Sequence, residues 1–342
     1  MKDFTFGIVT YNSERTIVET LESIKYQIEH YGKNMNFFLV LSDDCSTDKT
    51  LRVVKRWLAI NSALFVDNVV LATSQNSGLC INYAQMIENI KTDYFIQIAG
   101  DDLISSCNVF KSMENLKKNE VRVYLPVYYD DKQIYVPKEC IARQLFYRDR
   151  NHSNKIDLWL LETVNPTVST EITFFRQHYS SECMKFMKRY KNFEDDPSLY
   201  YIMKNNSETK FTFKMEPFIL YRQNGNSLTT SVDTNNQIRF LDDLHNFRKI
   251  TFKYEKNIFV KIYLFFVVWS TFLMKHRFDA SKTLSSKIEN SINNRCIKAG
   301  MKRKGYEYHQ KQILELMTEE NKYVREIKEN TTFFFNQEFS RL

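Results

Sequence analysis

The sequence predicts an α/β fold whose core is a mostly parallel sheet covered by helices on both faces. In the first hundred residues, short apolar runs alternate with segments that have the spacing of an amphipathic helix. Two of the apolar runs end in paired carboxylates, Asp43-Asp44 and Asp101-Asp102. Open α/β sheets bind ligands beyond the carboxyl ends of their strands, so the two pairs predict a single site.

The individual elements follow from these patterns. Apolar runs predict parallel strands at residues 4–10, 37–42, 69–72 and 94–99. Helical spacing predicts helices at residues 14–30, 48–60 and 79–90. Right-handed crossovers then bring the loops after the strands to one edge of the sheet.

The pattern is mixed after Asp102. We expect a helix at 109–118, a hairpin of strands 122–127 and 133–136, and a strand at 172–175. Helices are expected at 180–188 and 198–204, and strands at 211–213 and 218–221. From about residue 236 the periodicity is helical to the end, whereas residues 137–165 give no clear pattern.

The charge distribution suggests two regions. Residues 1–230 carry 28 basic and 28 acidic side chains, whereas residues 231–342 carry 20 and 13, so the whole net charge of +7 lies in the second part. We therefore predict a globular domain at 1–230 and a basic, mainly helical region at 231–342. The basic region is either a solvated helical face or a surface attracted to anionic lipid. Nucleic acid is disfavoured, because no recognised binding motif accompanies the charge.

The cysteines and the N-terminus suggest a cytoplasmic protein. The six cysteines contain no CxxC pair, and Met1-Lys2-Asp3 leads directly into a predicted strand rather than a signal peptide. The six histidines show no paired spacing, which argues against a zinc site.

The segment 257–274 is apolar on nearly every side. Its uncharged run, 262–274, is short for a membrane span, which needs about 20 residues. The alternatives are a buried packing helix, a helix lying on a membrane surface, a true span, or a contact between copies of the chain. Basic residues on both sides favour the membrane surface over the span.

Three motifs carry a resemblance to a known family. Residues 8–14 (Ile-Val-Thr-Tyr-Asn-Ser-Glu), the acidic segment 43–48 and Gly100-Asp101-Asp102 resemble the GT-A fold glycosyltransferases of family 2. The resemblance covers roughly residues 3–230 and is strongest before residue 105. It implies an inverting enzyme that moves a sugar from a nucleotide diphosphate donor to an acceptor hydroxyl.

The resemblance assigns the donor side. Thr10, Tyr11 and Glu14 lie where the family contacts the nucleotide, with the Tyr11 ring offering a face for stacking. Asp43 occupies the base-reading position, where a carboxylate accepts the imide N–H of uracil or thymine, and this favours a UDP-sugar. As an alternative for the first loop, the Ser13 side chain caps the following helix.

The rest of the acidic segment is expected to shape a turn. Asp44, Ser46 and Asp48 are assigned to this turn, and Asp48 is a candidate cap for the next helix. Cys45 replaces the glycine that the family usually carries, which costs strain if the position needs a positive φ.

The phosphate and metal side follows in the same way. The resemblance assigns nucleotide contacts to Asn76, Gly78, Gly100, Asp101 and Arg222. Asp101 and Asp102 are the candidate ligands for Mn²⁺ or Mg²⁺, hard cations that prefer oxygen.

The chain departs from the family pattern at several of these positions. Ala99 stands at the first Asp of the Asp-x-Asp motif, Tyr83-Ala84 stand where many members carry Arg-Asn, and Asn224 replaces a common His.

Residues 192–196 resemble the Glu-Asp motif at the family's acceptor site. Asp195 is the first candidate for the general base, with Glu194 or Asp196 as the alternative. These acids would also suit the N-terminus of a helix that contains Pro197, and the two interpretations are compatible.

The resulting expectation is a transferase in bacterial surface polysaccharide synthesis. Its acceptor would be a glycan or a lipid-linked sugar, and the protein would lie in the cytoplasm, peripherally at the inner face of the cell membrane. Its C-terminal helices would contact anionic lipid or form a homo-oligomer. The alternative is a non-catalytic subunit that binds sugar nucleotides in an assembly.

Overall fold

The computed structural model describes residues 2–117, 119–130, 133–148, 172–173, 178–192, 194–205, 210–223, 234–276 and 284–339. The predicted strand at 172–175 is described only at Ile172–Thr173, and residues 149–171 and Asn224 lie outside the described residues.

The first sheet confirms the predicted α/β architecture. Its four strands are parallel in the order β3-β2-β1-β4. They are β1 (Lys2–Thr10), β2 (Met35–Asp43), β3 (Asp67–Ala72) and β4 (Tyr94–Ala99). Helices α1 (Ile17–Tyr31), α2 (Thr50–Ile60) and α3 (Leu79–Glu88) connect the strands.

Helices cover both faces of this sheet because the strand residues alternate between two apolar cores. Phe6, Ile8 and Leu39 face α1 and α2, where Trp57 is fully buried. Val40 and Phe95 belong to the core that contains α3 and residues 179–187. Successive side chains of a strand point to opposite faces, so burial on both faces explains the continuous apolar runs.

The second sheet is mixed and contains the predicted hairpin. It consists of β5 (Leu103–Ile104), β6 (Glu120–Tyr129), β7 (Ile134–Tyr135), β8 (Ile172–Thr173) and β9 (Lys210–Arg222). β7 pairs with β6 antiparallel, whereas β9 pairs with β6 parallel. The strands predicted at 211–213 and 218–221 form one strand, β9, whose register shifts opposite Leu125. Such an irregularity accommodates Pro217, which has no N–H for a regular ladder.

The helix predicted at 109–118 is a single 3-10 segment, Val109–Met113. The Asn108 side chain accepts the Phe110 N–H at 3.0 Å and starts this turn. Glu114 is extended and Asn115 has a φ of 55°, so the backbone leaves the helical region there. Local side-chain capping therefore prevails over the apolar spacing.

The remaining described helices are α4 (Lys138–Arg148), α5 (Ser181–Met187), α6 (Asp195–Asn205), α7 (Thr234–Tyr254), α8 (Ile258–Lys275), α9 (Leu284–Met301) and α10 (Tyr306–Phe339). Among the helices that the structure describes, none has the length and apolar character needed to cross a membrane.

The last helix, α10, packs against the sheets. Its predicted apolar stripe is buried at Ile313, Met317, Tyr323, Val324 and Ile327, beside residues of β6 and β7. The Tyr323 hydroxyl donates to the Ile104 carbonyl at 2.8 Å. The second region thus contributes to the core beneath the loop that follows β4, while the boundary near residue 230 stays a prediction.

Candidate nucleotide and metal site

The ends of β1, β2 and β4 meet at one edge of the first sheet. Thr10 lies opposite Asp43 in the register, and Val9 lies opposite Ala99. Backbone hydrogen bonds extend this order into the loops, since the Asp44 N–H donates to Thr10 at 3.0 Å and the Gly100 N–H donates to Val9 at 2.9 Å. Both carboxylate pairs therefore follow hydrogen-bonded strands at the same edge of the sheet.

The loop after β1 is tied to the acidic segment rather than to a helix. The N–H groups of Asn12, Ser13 and Glu14 donate to the side chains of Ser46 (2.8 Å), Thr50 (2.7 Å) and Asp48 (3.0 Å) respectively. These tertiary bonds delay the start of α1 to Ile17.

The prediction of a helix from residue 14 with a Ser13 cap was therefore wrong, and the Ser13 hydroxyl donates instead to the Tyr11 carbonyl. Tyr11 is 49% exposed, so its ring is open for stacking. Glu14 is engaged, because its carboxylate accepts the Lys49 N–H at 2.9 Å.

The first carboxylate pair is buried, and both carboxylates accept hydrogen bonds from the neighbouring loops. Asp43 accepts the Ser46 hydroxyl at 2.5 Å and the Ser46 N–H at 2.8 Å. Asp44 accepts the Ser77 N–H and hydroxyl at 2.7 and 2.8 Å and the Gly78 N–H at 2.8 Å. Asp44 thus fastens the loop after β3 to the end of β2, while the base-reading role of Asp43 stays a prediction.

Two further expectations for the acidic segment agree with the geometry. Asp48 accepts the N–H of Thr50, the first residue of α2, at 2.9 Å. Burial alone would raise the pKa of Asp48, but hydrogen bonds from the Thr50 hydroxyl and backbone hold it below its usual value. Cys45 has a φ of 63°, so it occupies the left-handed region that favours glycine.

The two glycines of the predicted site allow close approaches. A Cβ on Gly100 would lie 2.8 Å from the Thr10 hydroxyl. Gly78 has a φ of 94°, and a Cβ there would lie 2.4 Å from the Lys191 side chain. Gly78 therefore allows the loop after β3 to contact Lys191, which precedes Glu194 and Asp195 in the chain.

Three buried polar atoms at this edge have no hydrogen-bond partner within the described part of the chain: the hydroxyl oxygens of Thr10 and Ser42 and the Asn82 side-chain oxygen. Buried polar groups are normally satisfied, so such atoms at a ligand-binding edge indicate an incoming partner. Asn76 lies on the same loop system as an exposed side chain.

The second carboxylate pair lies beside Arg222. The Arg222 N–H donates to the Asp102 carboxylate at 2.9 Å, and the guanidinium donates to the Asp101 carbonyl at 2.7 Å. The same guanidinium forms a buried ion pair with Glu19 at 2.6 Å and lies 4.7 Å from the Tyr129 ring centre. Arg222 thus stabilises the turn that carries Asp101 and Asp102. Its contact with a donor phosphate stays a prediction.

The charge of this pair is poorly compensated. Burial raises the pKa of Asp101 despite the attraction of Arg222. The pKa of Asp102 is raised well above its usual range by burial and by the neighbouring Asp101 charge.

The two carboxylates suit a hard divalent cation, which prefers oxygen ligands and completes its shell with water and substrate phosphates. The described residues contain no group of three or more His, Cys, Asp or Glu side chains able to hold a metal. The protein would thus supply two carboxylates, with the donor phosphates and water providing the rest.

The acidic motif at 194–196 opens α6 beside a buried tyrosine pair. The hydroxyls of Tyr83 and Tyr179 are 3.3 Å apart, and the charges of Glu194 and Asp195 act on Tyr83. Burial raises the pKa of Glu194 to about 7. The pKa of Asp196 is also raised to about 7 by burial, against the attraction of Arg248.

Sequence reasoning missed the residues that brace these groups. Asp243 of α7 accepts the N–H groups of Lys191 and Asn192 at 2.9 and 2.7 Å, immediately before the acidic motif. Glu19 pairs with Arg222 from a position 203 residues earlier in the chain. Neither acid belongs to a motif, and only the tertiary fold brings each of them to the site.

Comparisons with known proteins agree with this geometry. The family model described as glycosyl transferase family 2 matches residues 5–158. A putative glycosyltransferase of Bacillus subtilis (strain 168), EpsE, is 33% identical over 110 residues, which are 32% of this chain and 36% of the relative. The alignment thus spans about a third of that relative.

Solved structures extend the similarity in fold to most of the chain. S. aureus TarS 1–349 in complex with UDP-GlcNAc superposes with a TM-score of 0.55 at 15% identity, covering 87% of this chain and 81% of TarS 1–349. The same protein in complex with UDP gives a TM-score of 0.52 at 14% identity, covering 95% and 92%.

The parallel sheet and its strand-end loops define a domain of the GT-A fold. Within this domain, residues 5–158 are similar to glycosyl transferase family 2.

Proposed function

We propose that the chain transfers a sugar from a nucleoside diphosphate donor to an acceptor hydroxyl, with a UDP-sugar as the first candidate donor. The observation that carries the proposal is the meeting of Tyr11, Asp43 and the Asp101-Asp102 pair at one sheet edge within a domain similar to family 2. TarS, a structural neighbour, has been solved with UDP-GlcNAc and with UDP.

The donor side would hold the nucleotide as follows. The exposed Tyr11 ring stacks on the base, and Thr10 supplies a buried hydroxyl that lacks a partner among the described residues. Asp43 lies next to Thr10 in the register and reads the imide N–H of a uracil. Gly78 and Gly100 let the backbone approach the phosphates closely, with Asn76 at the outer edge.

Asp101 and Asp102 would hold Mn²⁺ or Mg²⁺. When bound, such an ion neutralises the charge that develops on the departing nucleoside diphosphate. The chain itself fixes the turn that carries the two carboxylates, since Arg222 donates to the Asp102 carboxylate and to the Asp101 carbonyl. Preorganisation of this kind avoids reorganisation during the reaction.

The acceptor side would supply the general base. Asp195 is the first candidate and Glu194 the second, because both lie at the start of α6 next to the loop that contacts Gly78. The pKa of about 7 suits Glu194 for proton transfer at neutral pH. The base takes the proton of the acceptor hydroxyl as its oxygen attacks the anomeric carbon, and the configuration inverts.

The wider role that we propose is bacterial surface polysaccharide synthesis on a glycan or lipid-linked acceptor, at the cytoplasmic face of the membrane. Ala99 stands where the family pattern has an Asp, and Tyr83 stands where many members have an Arg. The chain therefore offers one metal ligand and one cation fewer around the phosphates. This favours, as a second candidate, a non-catalytic subunit that binds sugar nucleotides.

The test is hydrolysis and transfer of UDP-, dTDP- and GDP-sugars in the presence of Mn²⁺, Mg²⁺ or EDTA. We expect metal-dependent turnover of one donor, lost in Asp195→Asn with donor binding intact. The matched control is Asp93→Asn, an exposed acid at the far end of β4. If turnover is unchanged in Asp195→Asn and lost in Glu194→Gln, the general base is Glu194. If the wild type binds the donor but shows no turnover with any acceptor, the result supports the non-catalytic subunit.

A further inference from the structure

Helix α8 is anchored to α7 by one face. Leu264, Val267 and Thr271 are buried, and the Thr271 hydroxyl lies 3.3 Å from Nδ1 of His245 on α7. The Asn257 side chain accepts the N–H groups of Phe259 and Val260, so the helix has a defined start. The orientation of α8 about its axis is therefore fixed.

The opposite face of α8 exposes large apolar side chains, which we call the α8 stripe. Its members are Ile258 (62% exposed), Ile262 (52%), Phe265 (55%), Trp269 (53%) and Phe272 (39%). Their spacing of four and three residues places them on one side of the helix. A soluble protein surface rarely leaves so many large apolar groups contiguous, so the stripe indicates a partner.

The charges around the stripe indicate the chemistry of that partner. Helix α8 contains no acidic residue. Just before it, Lys253 and Lys256 are exposed, and Glu255 between them lies 3.9 Å from the Lys204 ammonium. Lys261 lies on the helix, with its ammonium 5.4 Å from the centre of the Phe252 ring. A basic N-terminal end combined with an aromatic apolar face is complementary to an anionic lipid surface.

We propose that α8 lies in the surface of an anionic bilayer, with the α8 stripe at the boundary between headgroups and acyl chains. Trp and Phe suit this depth, because their rings are large and apolar and the indole N–H still reaches polar groups. Lysine stems run along the apolar surface while their charges stay at the headgroups.

A second copy of the chain fits the stripe less well. Pairing of two α8 helices would bring basic residues together without an acid on either helix to balance them. Lipid headgroups supply the missing negative charge. Self-association remains a distinct outcome of the test below.

Helix α8 packs on the helix that braces the candidate acceptor side. Helix α7, on which α8 packs, also carries Asp243, which holds the backbone of Lys191 and Asn192. A bilayer under α8 would therefore bring lipid-linked acceptors near the acidic motif. This last consequence rests on the proposed function, whereas lipid binding itself does not.

The experiment is sedimentation of the full chain with vesicles of phosphatidylcholine alone or mixed with phosphatidylglycerol. We expect binding to the anionic vesicles and at least a tenfold loss in the triple variant Ile262→Ser/Phe265→Ser/Trp269→Ser. The matched control is Leu314→Ser/Phe333→Ser, which removes two side chains of α10 that are 69% and 62% exposed. Lys253→Gln/Lys256→Gln should weaken binding to anionic vesicles alone, by roughly fivefold per lysine.

Trp269 reports the depth of insertion. Its fluorescence should shift to the blue on vesicle binding and be quenched by lipids brominated in the acyl chain, and the shift should vanish in Trp269→Phe, which still binds. Trp57 is fully buried and should not respond. Trp159 lies outside the described residues and is replaced by Phe in every protein of this experiment.

Equal vesicle binding by the wild type and the triple variant would overturn the proposal. So would a wild type that stays in solution as a dimer while the triple variant is monomeric. Turnover of soluble donor and acceptor should be unaffected in the triple variant, so failure of lipid binding and failure of the transferase activity are separate results.

Discussion

The two carboxylate pairs look alike in the sequence and differ in the structure. Each follows an apolar strand of the same parallel sheet; Asp43, Asp44 and Asp102 are buried, and Asp101 is half-buried. Asp43 and Asp44 together accept hydrogen bonds from Ser46, Ser77 and Gly78. Asp101 and Asp102 have raised pKa values, with burial as the largest cause, and Arg222 is the cation beside them.

The difference shows that the partners of a buried carboxylate, rather than its position at a strand end, decide its role. Backbone N–H groups stabilise the charge of the first pair and so convert it into a fastener between loops. Burial disfavours the charged form of the second pair, and a bound divalent cation would supply the positive charge that favours it. The predictions below test this division.

The largest expected effect is on activity in Asp101→Asn. We expect metal-dependent donor turnover to fall by about 10²–10³-fold, the cost of removing one preorganised electrostatic partner. The thermal unfolding midpoint should not fall, because burial disfavours the charged form of Asp101 and the amide of Asn carries no charge. Turnover assays and melting curves check both expectations. A clear fall in the unfolding midpoint of Asp101→Asn would contradict the proposed difference in role between the two carboxylate pairs.

The converse effect is expected in Asp44→Ala. The buried N–H groups of Ser77 and Gly78 would lose their acceptor, at a cost of about 4 kcal/mol in the free energy of unfolding. Urea denaturation measures this loss, with Asp67→Ala on the exposed end of β3 as the control. An Asp44→Ala variant as stable as the control would show that the first pair is not a fastener.

Glu320 is an intermediate case that sharpens the comparison. It accepts hydrogen bonds from the Ser106 N–H and hydroxyl, yet burial raises its pKa to about 7. Because the folded protein holds this proton more tightly than the unfolded chain, stability is highest below the usual glutamate pKa. It falls by about 3 kcal/mol as pH rises to about 7.

Replacement of Glu320 by Gln should remove this contribution, since the amide oxygen still accepts the Ser106 N–H. Unfolding measured from pH 4.5 to 8 should show a flatter dependence in Glu320→Gln than in the wild type. Parallel curves would mean that Glu320 is ionised without penalty.

The smallest expected effect concerns Cys45, inside the first acidic segment. Since its φ is 63°, Cys45→Gly should stabilise the protein by about 1 kcal/mol. Cys45→Ala is the control, because it removes the thiol and keeps the Cβ. A gain in Cys45→Ala equal to that in Cys45→Gly would assign the effect to the thiol rather than to the backbone.

The sequence predicts the first sheet well because its signals are local. Continuous apolar runs and helical spacing place all four parallel strands and their three helices, and the positive φ of Cys45 follows from the family pattern. The carboxylate pairs are also visible, since the order of strand and turn brings them to one edge.

What the sequence did not reveal depends on distant partners. The start of α1 is moved from residue 14 to Ile17 by bonds to Ser46, Asp48 and Thr50. Likewise, the donors to Asp44 and Asp102 come from residues 33 to 120 positions away in the chain, namely Ser77 and Gly78 to Asp44 and Arg222 to Asp102. Spacing along the chain carries no information on such contacts.

The central claim is that the Asp101-Asp102 pair, and not the Asp43-Asp44 pair, is the cation site. Its most direct test is a titration of the protein with Mn²⁺ in the presence of UDP, followed by the paramagnetic resonance of free Mn²⁺. We predict that the wild type binds the ion together with UDP and that Asp101→Asn does not, although it folds as the wild type does. Binding of Mn²⁺ and UDP by Asp101→Asn with unchanged affinity would contradict the account.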